Sequence, residues 1–317
     1  MAKNAITDYD TDPANNTDVG NIGIQGNNIP SNFDNALRQI MSHLRTEHNA
    51  VYALLGENRV INGGFDVNQR EVSGTVTLAA GEYGHDQWRG GSSGCTYTFA
   101  TSNNVTTITI TAGSLVNVIE GKNLDSGTYC LSWTGTAQGK IDGGSYSATG
   151  VTGTATGGTN LSIEFNTGTL SNVSLIEGSV AGNYKRRGTT VETLLCQRYC
   201  YKLYPDDDTG GSYYTPFGDG RWVNGSTAWI RIDLPVEMYG ALTLVLEGGS
   251  SSYFLNTGGT SGGVAVAPSD MLIVRYHRTA AMVQINKTGT GSSAGQGATL
   301  FTNNQNTDGI LITSELP

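Results

Sequence analysis

The side chains that could do hydrolytic chemistry are a small set of carboxylates and histidines. Asp206, Asp207 and Asp208 stand together in PDDDTGG, and Asp219 stands in PFGDGRW. Glycoside hydrolysis needs two carboxyl groups facing each other across the scissile bond. The aspartate triplet reads most simply as a solvated acidic loop, with a weak calcium site as the alternative. Asp219, flanked by glycines, reads as a turn residue. His43, His48, His85 and His277 fit no triad or metal spacing. His85 and Asp86 have the form of a dyad, but within GHDQWRGG they are expected to fix a loop. No GxSxG, HExxH or phosphate loop occurs. The chain is therefore expected to be non-catalytic, with no metal and no cofactor.

Saccharide binding asks for different residues: aromatic faces for stacking and a few planar polar groups. Tyr213, Tyr214, Phe217, Trp222 and Tyr253 lie among Gly, Ser and Asp in loop-like sequence. Distal loops are where recognition is commonly built. Tyr213, Tyr214, Trp222 and Tyr253 are thus the candidate glycan-binding residues. The competing expectation is that two or three of these aromatics plug a sandwich or an oligomer seam. Trp88 and Trp133 sit inside strand-like phrases and are expected in a core. Cys95 and Cys130 could pair but are expected as buried free thiols. Cys196 and Cys200 have no second CxxC and no nearby histidine, which argues against zinc.

Composition narrows the classes. The chain has 317 residues, 44 of them glycine, with 14% charged and 37% hydrophobic residues. Glycine at about twice its usual share of roughly 7%, with helix formers scarce, points to an all-β protein with many turns. The formal charge is −9, and no basic run exceeds Lys185-Arg186-Arg187. Clustered Lys and Arg are what phosphate backbones require, so no nucleic acid is expected as a partner. The N-terminal MAKNAITDYDTD lacks an apolar h-region, so no signal peptide is expected. No apolar run approaches about 20 residues, and no membrane insertion is expected.

The elements that would position these residues begin with one helix, 31–56, SNFDNALRQIMSHLRTEHNAVYALLG. Phe33, Leu37, Ile40, Leu44, Glu47, Val51 and Leu54 recur at alternating steps of four and three, a heptad seam. Leu37, Leu44 and Val51 fall at a; Phe33, Ile40, Glu47 and Leu54 fall at d. Leu at a with Ile at d favours three or four strands over two. Ala36, Met41, Ala50 and Leu55 widen the apolar face. Ser31 supplies an N-cap and Gly56 a stop. The seam predicted for a trimer is Phe33, Leu37, Ile40, Leu44, Val51 and Leu54; the alternative is a helix packed on its own domain. Residues 1–30, rich in Asn, Asp, Thr and Gly, are expected to be an extended arm. Alternation predicts strands over 72–78, 95–99, 105–111, 128–133, 161–165 and 173–176 in a unit spanning 57–180. A short helix is expected over 190–203, within a junction at 181–203. Residues 204–317 are expected as a second β unit, with strands at 229–234, 242–246, 271–276, 282–285 and 310–314.

Residues 11–47, TDPANNTDVGNIGIQGNNIPSNFDNALRQIMSHLRTE, resemble the N-terminal segment of many tailed-phage fibre proteins. Those proteins carry an extended NT-D-x-x-G-I piece, a short serine-bearing turn and a helix of the form DAIRQLM. Asn16, Thr17, Asp18, Gly23, Ile24, Ser31, Asp34, Ala36, Leu37, Arg38, Gln39 and Met41 match in order. Gln25-Gly26-Asn27-Asn28 departs from the family's acidic turn. In that family this part joins fibre to virion, which makes Asn16, Thr17, Asp18, Gly23 and Ile24 the expected attachment residues. INGGFDVNQR, GHDQWRGG, SGTYCLSWTG and SNVSLIEG resemble jelly-roll modules of the carbohydrate-binding kind. LLCQRYCYKLY resembles the family's LCQRYYQKL junction, with Cys200 where Tyr is usual, and IDLPVEMYGALTLVLEG resembles a strand pair that follows it.

The resemblance implies a mostly β fold: an extended arm, a short trimeric coiled coil, then two β-sandwich, jelly-roll-like units. It implies a homotrimer in the virion, made in the host cytoplasm. One end would be docked on other virion proteins, of the tail or baseplate or of the head. The C-terminal unit would meet a bacterial surface polysaccharide. A head fibre or decoration protein and a structural spacer are the alternatives in the same class; a glycan depolymerase is the alternative from another.

Overall fold

The computed structural model describes residues 4–10, 15–24, 31–204, 216–247, 252–256, 263–277, 279–288, 292–302 and 309–317. The fold is mostly β, as composition and alternation require, with two α-helices among the described residues.

The N-terminal segment is not simply extended. A short turn of helix at Ile6–Asp8 and a hairpin of β1 (Asp18–Val19) and β2 (Ile22–Gly23) pack against α1 (Ser31–Leu55). Tyr9 Oη lies 2.8 Å from His43 Nδ1, and Gln39 Nε2 lies 2.9 Å from His43 Nε2. Val19, Ala36 and His43 are buried in this contact. Among the described residues of this segment Val19 is the buried apolar side chain, in the hairpin that packs against the helix.

The first β unit comprises β3 (Thr75–Leu78), β4 (Trp88–Ser102), β5 (Val105–Ile119), β6 (Gly127–Thr134), β7 (Gly139–Ile141), β8 (Val151–Ala155), β9 (Leu161–Phe165) and β10 (Gly168–Glu177). Their order is β3-β4-β5-β10-β6-β8, with β9 pairing both β5 and β7. The long β5 serves two layers: Ile108–Ile110 pairs β10, whereas Leu115–Ile119 pairs β9. The bend between these halves is at Gly113, whose φ is +70° and where a Cβ would sit 2.1 Å from Gly94 O. Only glycine fits there. Trp88, Tyr97, Ile108, Leu131, Ile163 and Phe165 fill the core.

Next comes α2 (Thr189–Gln197), then β11 (Cys200–Leu203). The expected helix over 190–203 therefore ends early, and its last residues form a strand that pairs with Ile310–Thr313 of β20. Cys-Tyr-Lys-Leu alternates, and the strand satisfies both faces: Tyr201 and Leu203 pack toward the second core, and Cys200 and Lys202 are buried on the other side. The C-terminal unit thus begins at Cys200. Its three-stranded sheet is β11, β20 and β14 (Thr243–Leu246). The facing sheet has seven strands: β12 (Pro216–Asn224), β13 (Thr227–Asp233), β15 (Tyr253–Leu255), β16 (Val264–Val266), β17 (Met271–His277), β18 (Ala280–Asn286) and β19 (Gly297–Thr302). They run in the order β16-β15-β19-β12-β13-β18-β17, a sandwich-like arrangement.

Candidate functional site

Along α1, Phe33 is 67% exposed and Met41 69%, and Leu37, Leu44 and Val51 are also exposed. Ile40 and Glu47 are half-buried on the side nearer the N-terminal hairpin, and the side chain of Leu54 lies outside the described residues. The hairpin covers the face bearing Ala36, Gln39 and His43, so the free apolar stripe runs Phe33, Leu37, Met41, Leu44, Val51. Of the expected attachment residues, Asn16 closes a turn with Asp10, its Nδ2 donating to Asp10 O at 2.8 Å and its Oδ1 accepting from Asp10 N at 2.9 Å. Thr17 O accepts from Ile24 N at 3.1 Å, and Asp18 and Gly23 are opposed across the hairpin. These residues do share one small surface, next to the start of α1.

Of the candidate glycan residues, Trp222 and Tyr253 fall within the described residues. Tyr213 and Tyr214, with Asp206, Asp207 and Asp208, lie outside the described residues. Trp222 is 0% exposed, and Tyr253 and Phe217 are buried with it in the core of the C-terminal unit. Tyr253 Oη donates to Gly309 O at 2.9 Å. Trp222 and Tyr253 are therefore corrected from ligand platforms to core. The reason is strand parity. PFGDGRW is β12, not a loop: Trp222 points inward in step with Gly218 and Gly220, and a bulge between Pro216 and Gly218 lets Phe217 reach the core as well. Asp219 is accordingly an outward strand residue, accepting from Thr299 Oγ1 at 2.6 Å, and not a turn aspartate. The glycines beside it are required for packing. A Cβ on Gly218 would lie 2.4 Å from Arg231 O, and one on Gly220 1.8 Å from Trp229 O. The outward residues Arg221, Trp229 and Gln284 escaped the sequence reading; the alternation of TAWIRID was the signal that could have found Trp229, and PFGDGRW carried none for Arg221.

The motifs INGGFDVNQR, GHDQWRGG and LLCQRYCYKLY do converge, at the joint between the two β units. Asn62 bridges the first two, its Nδ2 donating at 2.8 Å to both Val67 O and Asp86 O. Asp86 accepts from Gln69 N at 2.6 Å and Gln69 Nε2 at 2.8 Å, and Gln69 Nε2 also donates to Cys200 O at 2.6 Å. Lys202, its side chain 1% exposed, bonds Glu71 at 2.6 Å and Glu247 at 2.9 Å, one carboxylate from each unit. Glu120 receives both Arg198 Nε and Nη2 at 2.8 Å and Tyr199 Oη at 2.7 Å. Arg70 pairs with Glu315, and Tyr83 Oη donates to Leu316 O at 2.8 Å. Val116, Val118, Tyr199 and Leu316 form the apolar centre.

Electrostatics mark the joint as structural. Burial lifts Glu315 to about 7 despite Arg70, and raises Asp86 against Arg70 and the Gln69 bonds. Burial would also raise Glu120, but its bonds from Arg198 and Tyr199 outweigh that and hold it below its ordinary range. His85 is lowered to about 4 by burial. Its Nδ1 lies 2.9 Å from Tyr97 Oη, and its ring meets Phe99 edge-on at 4.5 Å. His85 and Asp86 thus serve different partners and form no dyad. All four cysteines are buried and free. Among the described residues no group of three His, Cys, Asp or Glu side chains is placed to hold a metal ion, and no helix is long and apolar enough to cross a membrane. No protein-family model, no curated protein and no solved structure matches the chain.

Proposed function

We propose that the chain is a fibre of a tailed-phage virion. Three copies associate through α1, the N-terminal segment docks on other virion proteins, and the C-terminal β unit meets a glycan of the bacterial surface. The observation that carries this reading is the free stripe Phe33, Leu37, Met41, Leu44 and Val51 on a 25-residue helix whose neighbouring face, at Ala36, Gln39 and His43, is covered by its own chain. Such a stripe on a helix about 38 Å long is an unpaid hydrophobic surface until other helices cover it. Leu37, Leu44 and Val51, the three a positions of the heptad, all lie on this stripe, which supports association of helices along it. The fibre identity is supported by the order of Asn16, Thr17, Asp18, Gly23 and Ile24 ahead of the ALRQIM helix.

Sedimentation of the purified chain tests the assembly. Wild type is expected to run as a trimer at micromolar concentration and Leu37→Asp/Leu44→Asp as a monomer with both β units folded. A monomeric wild type, or a double variant that stays trimeric, would overturn it. Adsorption tests the role. Soluble trimer should bind host cells and compete with phage infection, whereas a spacer would not adsorb. Antibody labelling of virions should then mark one structure, tail or head.

A further inference from the structure

Trp222 is buried, yet the strand that carries it presents its alternate residues to solvent. Arg221 lies opposite Trp229, Trp229 opposite Gln284, and Gln284 opposite Leu272, so these four form one row across β12, β13, β18 and β17. The adjacent outward row runs Thr299, Asp219, Arg231 and Met282. Arg221, Asp219, Arg231 and Asp233 are exposed, and Trp229, Gln284 and Thr299 are half-buried. The seven-stranded sheet thus has an apolar inner face, and on its outer face the middle strands carry Trp229 among planar polar groups while Phe254 and Phe301 oppose each other on β15 and β19.

That outer face is organised. Trp229 Nε1 donates to Gln284 Oε1 at 3.2 Å, and Gln284 Nε2 donates to Asn286 Oδ1 at 3.0 Å. The indole is therefore tied to the neighbouring strand. Asp219 is held by Thr299, and Arg231 Nε donates to Asp233 Oδ1 at 2.7 Å. Polar side chains already fixed in this way lose little entropy when a ligand arrives.

We propose that this face is a saccharide platform, with Trp229 as the stacking surface and Arg221, Asp219 and Gln284 as its hydrogen-bonding rim. Three features support a sugar. Among the described side chains of these rows the guanidinium groups of Arg221 and Arg231 are matched by the carboxylates of Asp219 and Asp233, so they offer no excess charge to a phosphate polymer. Trp229 is aromatic and its surround is planar donors and acceptors, which suits a ring with apolar C–H faces and hydroxyl edges. Directly opposed residues stand about 4.5–5.5 Å apart, the scale of one pyranose ring. One flat site binds weakly, and three on a trimer gain through avidity. The inference rests on the reading of the chain as a glycan-binding fibre, and it names the site for that reading.

The test is the binding of full-length chain to an array of bacterial O-antigen and capsular polysaccharides, with Trp229→Ala, Trp229→Phe and Arg221→Ala in parallel. Melting and sedimentation are measured for each. Wild type is expected to bind at least one polysaccharide. Trp229→Ala should then lose at least tenfold, about 1.4 kcal/mol, with melting and oligomeric state unchanged. Trp229→Phe should keep most of the binding, because it keeps a ring. Arg221→Ala, exposed and remote from the core, should lose several-fold and serves if Trp229→Ala fails to fold. Wild-type binding that survives both Trp229→Ala and Arg221→Ala would overturn the platform while leaving the fibre reading intact. Dissociation of the trimer by either variant would overturn it too, assigning the face to a second copy of the chain. No binding by wild type to any polysaccharide would overturn the glycan-binding reading and the platform with it.

Discussion

Protonation of Glu315 is the perturbation that tests the joint most directly. Burial lifts this carboxyl from its ordinary 4.5 to about 7, against the pull of Arg70. One of its oxygens is buried with no hydrogen-bond partner among the described residues. Arg70, Asp86 and Arg89 are the charged groups acting on it, and Tyr83 lies close by. A carboxyl raised on folding holds its proton more tightly in the folded chain than in the unfolded one. Its stabilisation is therefore complete below about 4.5 and is lost as pH rises through about 7. The span between those values corresponds to roughly 3 kcal/mol. His85 acts in the opposite direction. Burial lowers it from 6.5 to about 4, so its stabilisation is complete above 6.5 and is lost as pH falls toward 4. Its span is also roughly 3 kcal/mol. Between 6.5 and 4.5 the two slopes oppose each other, with Asp86 adding to the Glu315 sign. Single variants separate them in denaturant titrations at a series of pH values. Glu315→Gln should expose the His85 slope, with stability falling by roughly 3 kcal/mol from pH 6.5 to 4. His85→Asn should expose the Glu315 slope, with stability rising by a similar amount from pH 7 to 4.5. If the stability difference between wild type and Glu315→Gln stays constant from pH 8 to 4.5, Glu315 is not a buried, raised carboxyl and the reasoning fails.

Two further substitutions probe the inner face of the C-terminal sandwich. Gly220→Ala places a Cβ 1.8 Å from Trp229 O and should lower the denaturation midpoint by an amount at or above the upper end of the roughly 1–3 kcal/mol overpacking range. Gly297→Ala, which meets nothing within 4 Å, should leave that midpoint unchanged and is the control. Trp222→Ala empties a fully buried position and should cost about 3–5 kcal/mol in the same titration, without the selective loss of binding expected of Trp229→Ala.

Legibility in the sequence followed the periodicity of apolar residues. α1 is evident because its seam repeats and Ser31 and Gly56 bracket it. Leu161–Phe165 has the predicted bounds because its apolar residues alternate strictly. β12 was illegible because Gly218 and Gly220 occupy inward positions, so the strand shows no apolar alternation. β11 misled because LLCQRYCYKLY satisfies a helical and an alternating pattern at once. Its choice is made by Ile310–Thr313, a partner from the other end of the chain. The joint was hidden for a different reason. Gln69, Glu120 and Lys202 are polar types that sequence reading assigns to surfaces, and partners beyond the first unit's own strands let them be buried. The same physics misplaced the aromatics. Glycine-rich surroundings mark a loop in most chains, but here they mark a tightly approached strand, and a single step of parity separates a core Trp222 from the outward row of Arg221 and Trp229.

A joint built from ion pairs and buried amides bears on how a trimer would use three weak sites. Avidity depends on the fraction of time that all the sites can reach one surface together, and it falls as the connecting segments loosen. A flexible tether between the units would spread the C-terminal faces over many orientations. Glu120 with Arg198 and Tyr199, Lys202 with Glu71 and Glu247, and Arg70 with Glu315 instead hold each C-terminal unit on its neighbour. Glu120→Gln should weaken that hold, since it leaves Arg198 without its counter-charge, a loss of about 3 kcal/mol for a buried pair. The affinity of one unit for a soluble oligosaccharide should be unaffected, because Glu120 is remote from the outer sheet face. Adsorption of the trimer to intact cells should fall by tenfold or more, because the loss is taken from a multivalent gain of about 10²–10⁴. Faster proteolysis within residues 181–188 would verify that the joint has loosened. If that cleavage accelerates and cell adsorption is unchanged, the rigidity of the joint contributes nothing to binding, and its ion pairs serve the stability of the two units alone.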